Sequence, residues 1–222
     1  MTPELIIQIA AVLVVVVIFG VAVYLLSPAR KTEKAAKAGP IPDDEHENAE
    51  AVLRQLRRYA ATNEFRVVEP VQIGNDKISA DLDALLVGWF GVLGVKCLGY
   101  GGTIYGQASD SEWVQEMNGQ RRVFANPLKR AEQSARAVRQ ALFEAKIKNV
   151  PVETVVVFTG KKTQLALPRS CGHYTIEQFS TYLKSVHFEE DKKVEVEPVA
   201  AATARADMAA GQDGRACLGL GI

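Results

Sequence analysis

The hydrophobic pattern divides the chain before any residue is given a role. From Leu5 to Leu26 the run "LIIQIAAVLVVVVIFGVAVYLL" holds Gln8 as its only strongly polar residue, and about twenty apolar residues suffice to cross a bilayer as a helix. The run predicts a membrane span. It opens "MTPE", without the basic start of a cleaved signal peptide, and its apolar core is longer than such a peptide needs. Polar positions then take over through "SPARKTEKAAKAGPIPDDE", broken by Pro28, Pro40 and Pro42, which reads as a linker.

Beyond the linker the periods alternate between helix and strand. "NAEAVLRQLRRYAA" sets Val52, Leu53, Leu56 and Tyr59 on one helical face, with Arg54, Arg57 and Arg58 largely outside it. "EFRVVEPVQI" reads as a strand, and "GND" as the turn after it. "KISADLDALLVGWFGVLGVKCLGY" reads as two strands joined near Gly88 to Gly91. Side chains at i and i+2 share a strand face, so Asp81, Asp83, Leu85 and Val87 fall on one side and Leu82, Ala84 and Leu86 on the other. Both faces are apolar beyond the aspartates, which predicts a sheet covered on both sides. In the second strand Val92, Gly94 and Lys96 share a face.

"GGTIYGQASDSEWVQ" reads as a glycine-bounded strand and a loop ending at Trp113. A helix follows with Asn126 as cap and Pro127 at its first position, its apolar stripe running Leu128, Ala131, Ala135, Val138, Leu142, Ala145. "PVETVVVFTG" is a buried strand, Gln164 to Pro168 is further strand-like chain, and "IEQFSTYLKSV" a short helix. After Pro198 the alanine- and glycine-rich chain has little large apolar content, and weak order is expected. The divisions are an anchor over 1–27, a charged linker over 28–46, a domain over 47–197 and a tail over 198–222.

Composition changes this picture little. Of 222 residues, 48% are hydrophobic, enough for one domain with its own core. Lys and Arg number 26 and so do Asp and Glu, so the overall basic excess of a nucleic-acid coat protein is absent and any phosphate binding must be local. Arg30, Lys31, Lys34 and Lys37 follow the apolar run and no basic residue precedes it, which predicts a domain on the cytoplasmic side. Cys97, Cys171 and Cys217 are odd in number and lack metal-ligand spacing, as expected of thiols in a reducing compartment.

Lys96 is the residue that asks for an explanation, because it sits in an apolar run of the kind that fills a sheet. A lysine at a strand end can let its ammonium reach solvent. Arg121, Arg122, Lys129, Arg130, Arg136, Arg139, Lys146 and Lys148 form a local basic excess that suits a phosphate backbone, an anionic lipid surface or plain solvent. In "RSCGH", Cys171 and His173 lack an orienting third group, and His46 and His187 lack a metal-ligand partner at useful spacing.

The order and spacing of Glu50, "DLDALLVG" around Asp83, "GVLGVK" ending at Lys96, "GTIYG", Trp113 and "NPL" from Asn126 resemble the nuclease-related domain, NERD, whose core is similar to the PD-(D/E)XK nucleases. The resemblance covers residues 47 to 168. It implies an α/β fold, a mixed central sheet flanked by helices, here preceded by one transmembrane helix. It also implies Asp83, Lys96 and Glu50 as catalytic residues and Asp83 and Asp81 as ligands for Mg²⁺, with the lysine stabilising the phosphorane or orienting the water. The family acid belongs two residues before Lys96, where this chain has Gly94. Asp81, Glu50 and Asp110 are the carboxylates that could replace it. Arg130 stands where the family's glutamine is expected. Two functions follow: a membrane-tethered protein that has lost the metal site and serves binding or scaffolding, or an active Mg²⁺-dependent nuclease on DNA or RNA with a relocated acid.

Overall fold

The computed structural model describes residues 39–43, 49–69, 71–74, 79–168 and 172–216. The predicted span, Leu5–Leu26, lies outside them. Among the described residues no helix is long and apolar enough to cross a membrane.

The first helix, α1 (Ala49–Asn63), buries Val52, Leu56 and Ala60 and leaves Arg54, Arg57 and Arg58 in solvent, as the helical spacing predicts. The strand expected next is two short ones, β1 (Arg66–Val68) and β2 (Val71–Gly74), serving different sheets. In the sequence Pro70 separates them, and proline cannot donate to a ladder. β2 pairs antiparallel with β3 (Ser79–Leu82) in a two-stranded ribbon. β4 (Ala84–Gly88) and β5 (Gly91–Leu98) form the predicted hairpin, turning at Trp89 and Phe90.

The main sheet runs β1-β4-β5-β9-β11, with β9 (Val152–Phe158) and β11 (His173–Thr175) added parallel and the other pairs antiparallel. A second sheet runs β10-β6-β7-β8, from β6 (Thr103–Tyr105), β7 (Glu112–Met117), β8 (Gln120–Ala125) and β10 (Gln164–Ala166). The β7–β8 hairpin begins where a loop ending at Trp113 is expected and fills the chain up to the Asn126 cap. Its turn is Asn118 at φ 52° and Gly119 at φ 72°, the double positive φ that asparagine followed by glycine suits best.

Three further helices complete the domain: α2 (Pro127–Glu144), α3 (Ile176–Tyr182) and α4 (Val196–Ala216). α2 and α4 cover one face of the main sheet together with the ribbon, around Ile73, Leu82, Leu85, Val138 and Val199. α1 and α3 cover the other face, around Leu56, Leu86, Val95, Val157 and Phe179. The sheet is covered on both sides, as expected. A third cluster of Ile104, Trp113, Phe124, Ala131, Val156 and Phe158 joins the second sheet to the start of α2.

Three expectations need correction. Ala80 and Leu82 share a cluster with Leu85 and Val87, while Ala84 and Leu86 pack on the opposite side. The alternation therefore slips by one residue at Asp83, where the chain bends in passing from ribbon to main sheet. The chain after Pro198, expected to be weakly ordered, continues as α4, with Val199, Ala200, Ala202 and Thr203 buried. Its small side chains let the helix lie close to β2, which substitutes for large apolar content. Finally, Gly39–Asp43 is not free linker: Pro42 bridges Tyr100 antiparallel, and Asp43 is 2% exposed.

Candidate functional site

β5 is buried from Gly91 to Val95 and emerges at Lys96. Beside it the neighbouring chain leaves the sheet. Ala84 still pairs with Val95 and the Asp83 N–H donates to Val95 O at 2.9 Å, but beyond that bend no backbone carbonyl continues the β4 ladder. The Asp83 carboxylate takes over, Oδ2 accepting the Cys97 N–H at 2.6 Å. Its other oxygen lies 3.8 Å from Lys96 Nζ, and Asp81 Oδ1 lies 3.0 Å from the same nitrogen. The structure therefore brings together three of the predicted residues, Asp81, Asp83 and Lys96.

This arrangement explains the ammonium in the apolar run. Lys96 is one-quarter exposed and faces two carboxylates, one of them half exposed, so its charge is compensated without full burial. The neighbouring Cys97 thiol is pushed up to about 12, first by burial and then by the Asp83 charge. At ordinary pH it is a neutral thiol, which makes it a poor nucleophile or metal ligand.

Gly94 shares the Lys96 face, two residues deeper. A Cβ built there lies 2.9 Å from Leu82 Cδ1 and 2.9 Å from Thr154 Cγ2. Thr154 is held in place because its hydroxyl donates to Ala131 O at 2.8 Å. The position is a packing contact between β5 and the ribbon, with its space already filled.

Glu50 is not part of this group. It sits in the exposed first turn of α1, its carboxylate 2.8 Å from Arg57 Nη1, and Arg57 also holds Glu69. Asp110 is a turn residue whose Oδ2 accepts the Gln107 N–H at 2.8 Å. Trp113 Nε1 donates to Gln107 O at 2.9 Å. The Asn126 Oδ1 caps α2 through the Leu128 N–H, while Nδ2 donates to the carbonyls of Gln107, Ala108 and Asp110. These motif residues fasten the 107–110 loop to the helix start.

Of the basic residues, Arg122 Nη1 donates to Gly39 O, Arg136 pairs with Glu132, and Arg139 Nη2 donates to Val152 O. Arg121, Lys129, Arg130, Lys146 and Lys148 are exposed. His173 is buried with its ring edge-on to Trp113, and burial lowers its pKa. His187 Nε2 lies 3.3 Å from Glu153 Oε2. His46, Cys171 and Cys217 lie outside the described residues.

Among the described residues no three His, Cys, Asp or Glu side chains converge as ligands. The two aspartates that meet do so around an ammonium, with one oxygen committed to a backbone N–H.

No curated protein and no solved structure matches the chain. The model of one family, NERD, the nuclease-related domain, matches residues 44–159, more than half of the chain and the whole of β1 through β9; the protein belongs to the nuclease-related domain family.

Proposed function

We propose that this is a membrane-anchored NERD-domain protein, its domain facing the cytoplasm, in which a PD-(D/E)XK-like core binds or scaffolds and does not cut. One observation carries the reading. Where the family acid belongs, Gly94 is wedged against Leu82 and Thr154, and the nearby aspartates are engaged by Lys96 and the Cys97 N–H. A Mg²⁺ ion needs several oxygen ligands in near-octahedral array, and with glycine at position 94 the carboxylates that meet here among the described residues are those of Asp81 and Asp83. The exposed cations Arg121, Lys129 and Arg130 leave a nucleic-acid contact open to the domain. The anchor rests on the apolar run Leu5–Leu26 and the orientation on the basic residues after it.

The test is Mn²⁺ calorimetry and plasmid nicking with the full-length chain in mild detergent. No saturable binding below millimolar Mn²⁺ and no nicking are expected. Nicking by the wild type that Asp83→Asn abolishes would replace this reading with an active nuclease using Asp81 as the relocated acid. Alkaline extraction and external proteolysis of intact cells test the anchor: the chain should stay with the membrane and the domain should resist digestion.

A further inference from the structure

Gly39–Asp43 is held the way a bound peptide is held. The Asp43 N–H donates to Gly99 O at 2.8 Å and the Gly101 N–H to Ile41 O at 3.3 Å. The buried side chain of Gln115 completes the grip: Oε1 accepts the Ile41 N–H at 2.6 Å, and Nε2 donates at 2.7 Å to both Ile41 O and Gly101 O. A primary amide offers a donor and an acceptor side by side, so Gln115 pairs with Ile41 as a neighbouring strand would. At one end Arg122 Nη1 donates to Gly39 O at 3.1 Å. At the other, Asp43 Oδ2 accepts the Lys162 N–H at 3.0 Å, tying the segment to the turn between β9 and β10. The hydrogen bonds to Gly39 and Ile41 are to backbone groups, so along that stretch the site recognises an extended chain by its shape, and the buried Asp43 carboxylate anchors its end.

We propose that this is a peptide-binding site occupied by the protein's own chain, and that it is the true end of the membrane tether. The inference rests on the anchor reading above. A tether of residues 28–46 spans about 65 Å when fully extended, and one of residues 28–38 about 40 Å. Docking therefore cuts the reach by more than a third. It also withholds the backbone of Pro40, Ile41 and Pro42 from proteases, which bind substrates through the same extended N–H and C=O groups. Opening the clasp lengthens the tether and exposes a point at which the domain can be cut free.

The test uses the full-length chain in phosphatidylcholine vesicles and, in parallel, in detergent, with hydrogen exchange and limited proteinase K digestion read by mass spectrometry. In the wild type the 39–43 segment exchanges slowly and cleavage falls before Gly39. Gln115→Glu keeps the shape but loses the donor facing two carbonyls; exchange of the Ile41 and Asp43 N–H groups should rise at least tenfold, with new cuts beside Asp43. Since a buried charge can unfold the domain, Gln115→Leu is the second variant: it removes both amide groups that pair with Ile41 without adding charge, and should speed exchange of the Ile41 and Asp43 N–H groups alike while α2 stays protected. Exchange of the wild-type Ile41 and Asp43 N–H groups at the rate of a free peptide overturns the clasp, as does a folded Gln115→Leu chain in which both exchange unchanged. A chain that fails to sediment with vesicles overturns the tether role and the anchor together, while the detergent samples still decide the clasp.

Discussion

The Asp83 carboxylate accepts the backbone N–H of Cys97 at 2.6 Å, doing for the end of β5 what the next residue of a longer β4 would have done. A motif aspartate is thus part of the sheet's hydrogen-bond ladder. Asp83→Ala strands a partly buried N–H and should lower the unfolding free energy by about 1–3 kcal/mol. Asp83→Asn keeps an acceptor and should recover most of that. Urea titrations of both variants decide the matter, because a metal-ligand role would make the two equally damaging to metal binding and need not separate their stabilities.

Gly94→Glu, the change that restores the family acid in sequence, should not restore a metal site. Its Cβ meets Thr154 Cγ2, which cannot rotate away without losing the hydroxyl bond to Ala131. Overpacking should cost about 1–3 kcal/mol, and Gly94→Ala should already show part of it. Thermal melts of both variants, with Mn²⁺ calorimetry on whichever fold, check this. Tight Mn²⁺ binding by a stable Gly94→Glu protein would contradict it.

Asn126 serves two masters, and the conservative substitution should expose that. Aspartate is as good a helix cap as asparagine, yet Asn126→Asp would point a carboxylate at the carbonyls of Gln107, Ala108 and Asp110. It should therefore lower Tm at least as far as Asn126→Ala does. If Asn126→Asp melts with the wild type, the loop contacts contribute nothing.

His173 gives stability a pH dependence of definite sign. Burial lowers its pKa in the folded protein, and Nδ1 has no hydrogen-bond partner among the described residues. The unfolded chain takes up a proton near pH 6.5 while the folded protein resists until a lower pH, so stability contributed by the neutral ring is full above 6.5 and lost as pH falls through that window. His173→Phe, which keeps the edge-on packing against Trp113, should flatten this part of the profile between pH 5 and 7.5. A wild-type profile just as flat would show that the ring titrates normally.

How much of this was legible in the sequence depended on whether one strand or helix kept one set of neighbours along its length. Val52, Leu56 and Val138 lie on helices with a single buried face, and the helical period finds them. The β4–β5 hairpin and the Asn126–Pro127 helix start were legible for the same reason: each is settled by local chemistry. Asp83 was not, since the chain changes sheets there and the period-2 pattern carries no mark of that change; Leu82 therefore landed on the wrong side. Gly39–Asp43 reads as linker because proline and aspartate are what linkers hold, while the group that captures it, Gln115, is distant in sequence. The Asn118–Gly119 turn is a local signal too, an asparagine–glycine pair that marks a hairpin by itself. At the site, strand parity put Lys96 and Gly94 on one face, but only packing could show that the space over Gly94 is taken.

The Asp83 ladder bond has a consequence for how such chains are recognised. An aspartate that completes a sheet is useful to folding whether or not it also serves chemistry. An acid at this place is therefore not by itself a sign of phosphodiester cleavage, because the bond to the Cys97 N–H gives the fold a use for it whether or not it meets a substrate.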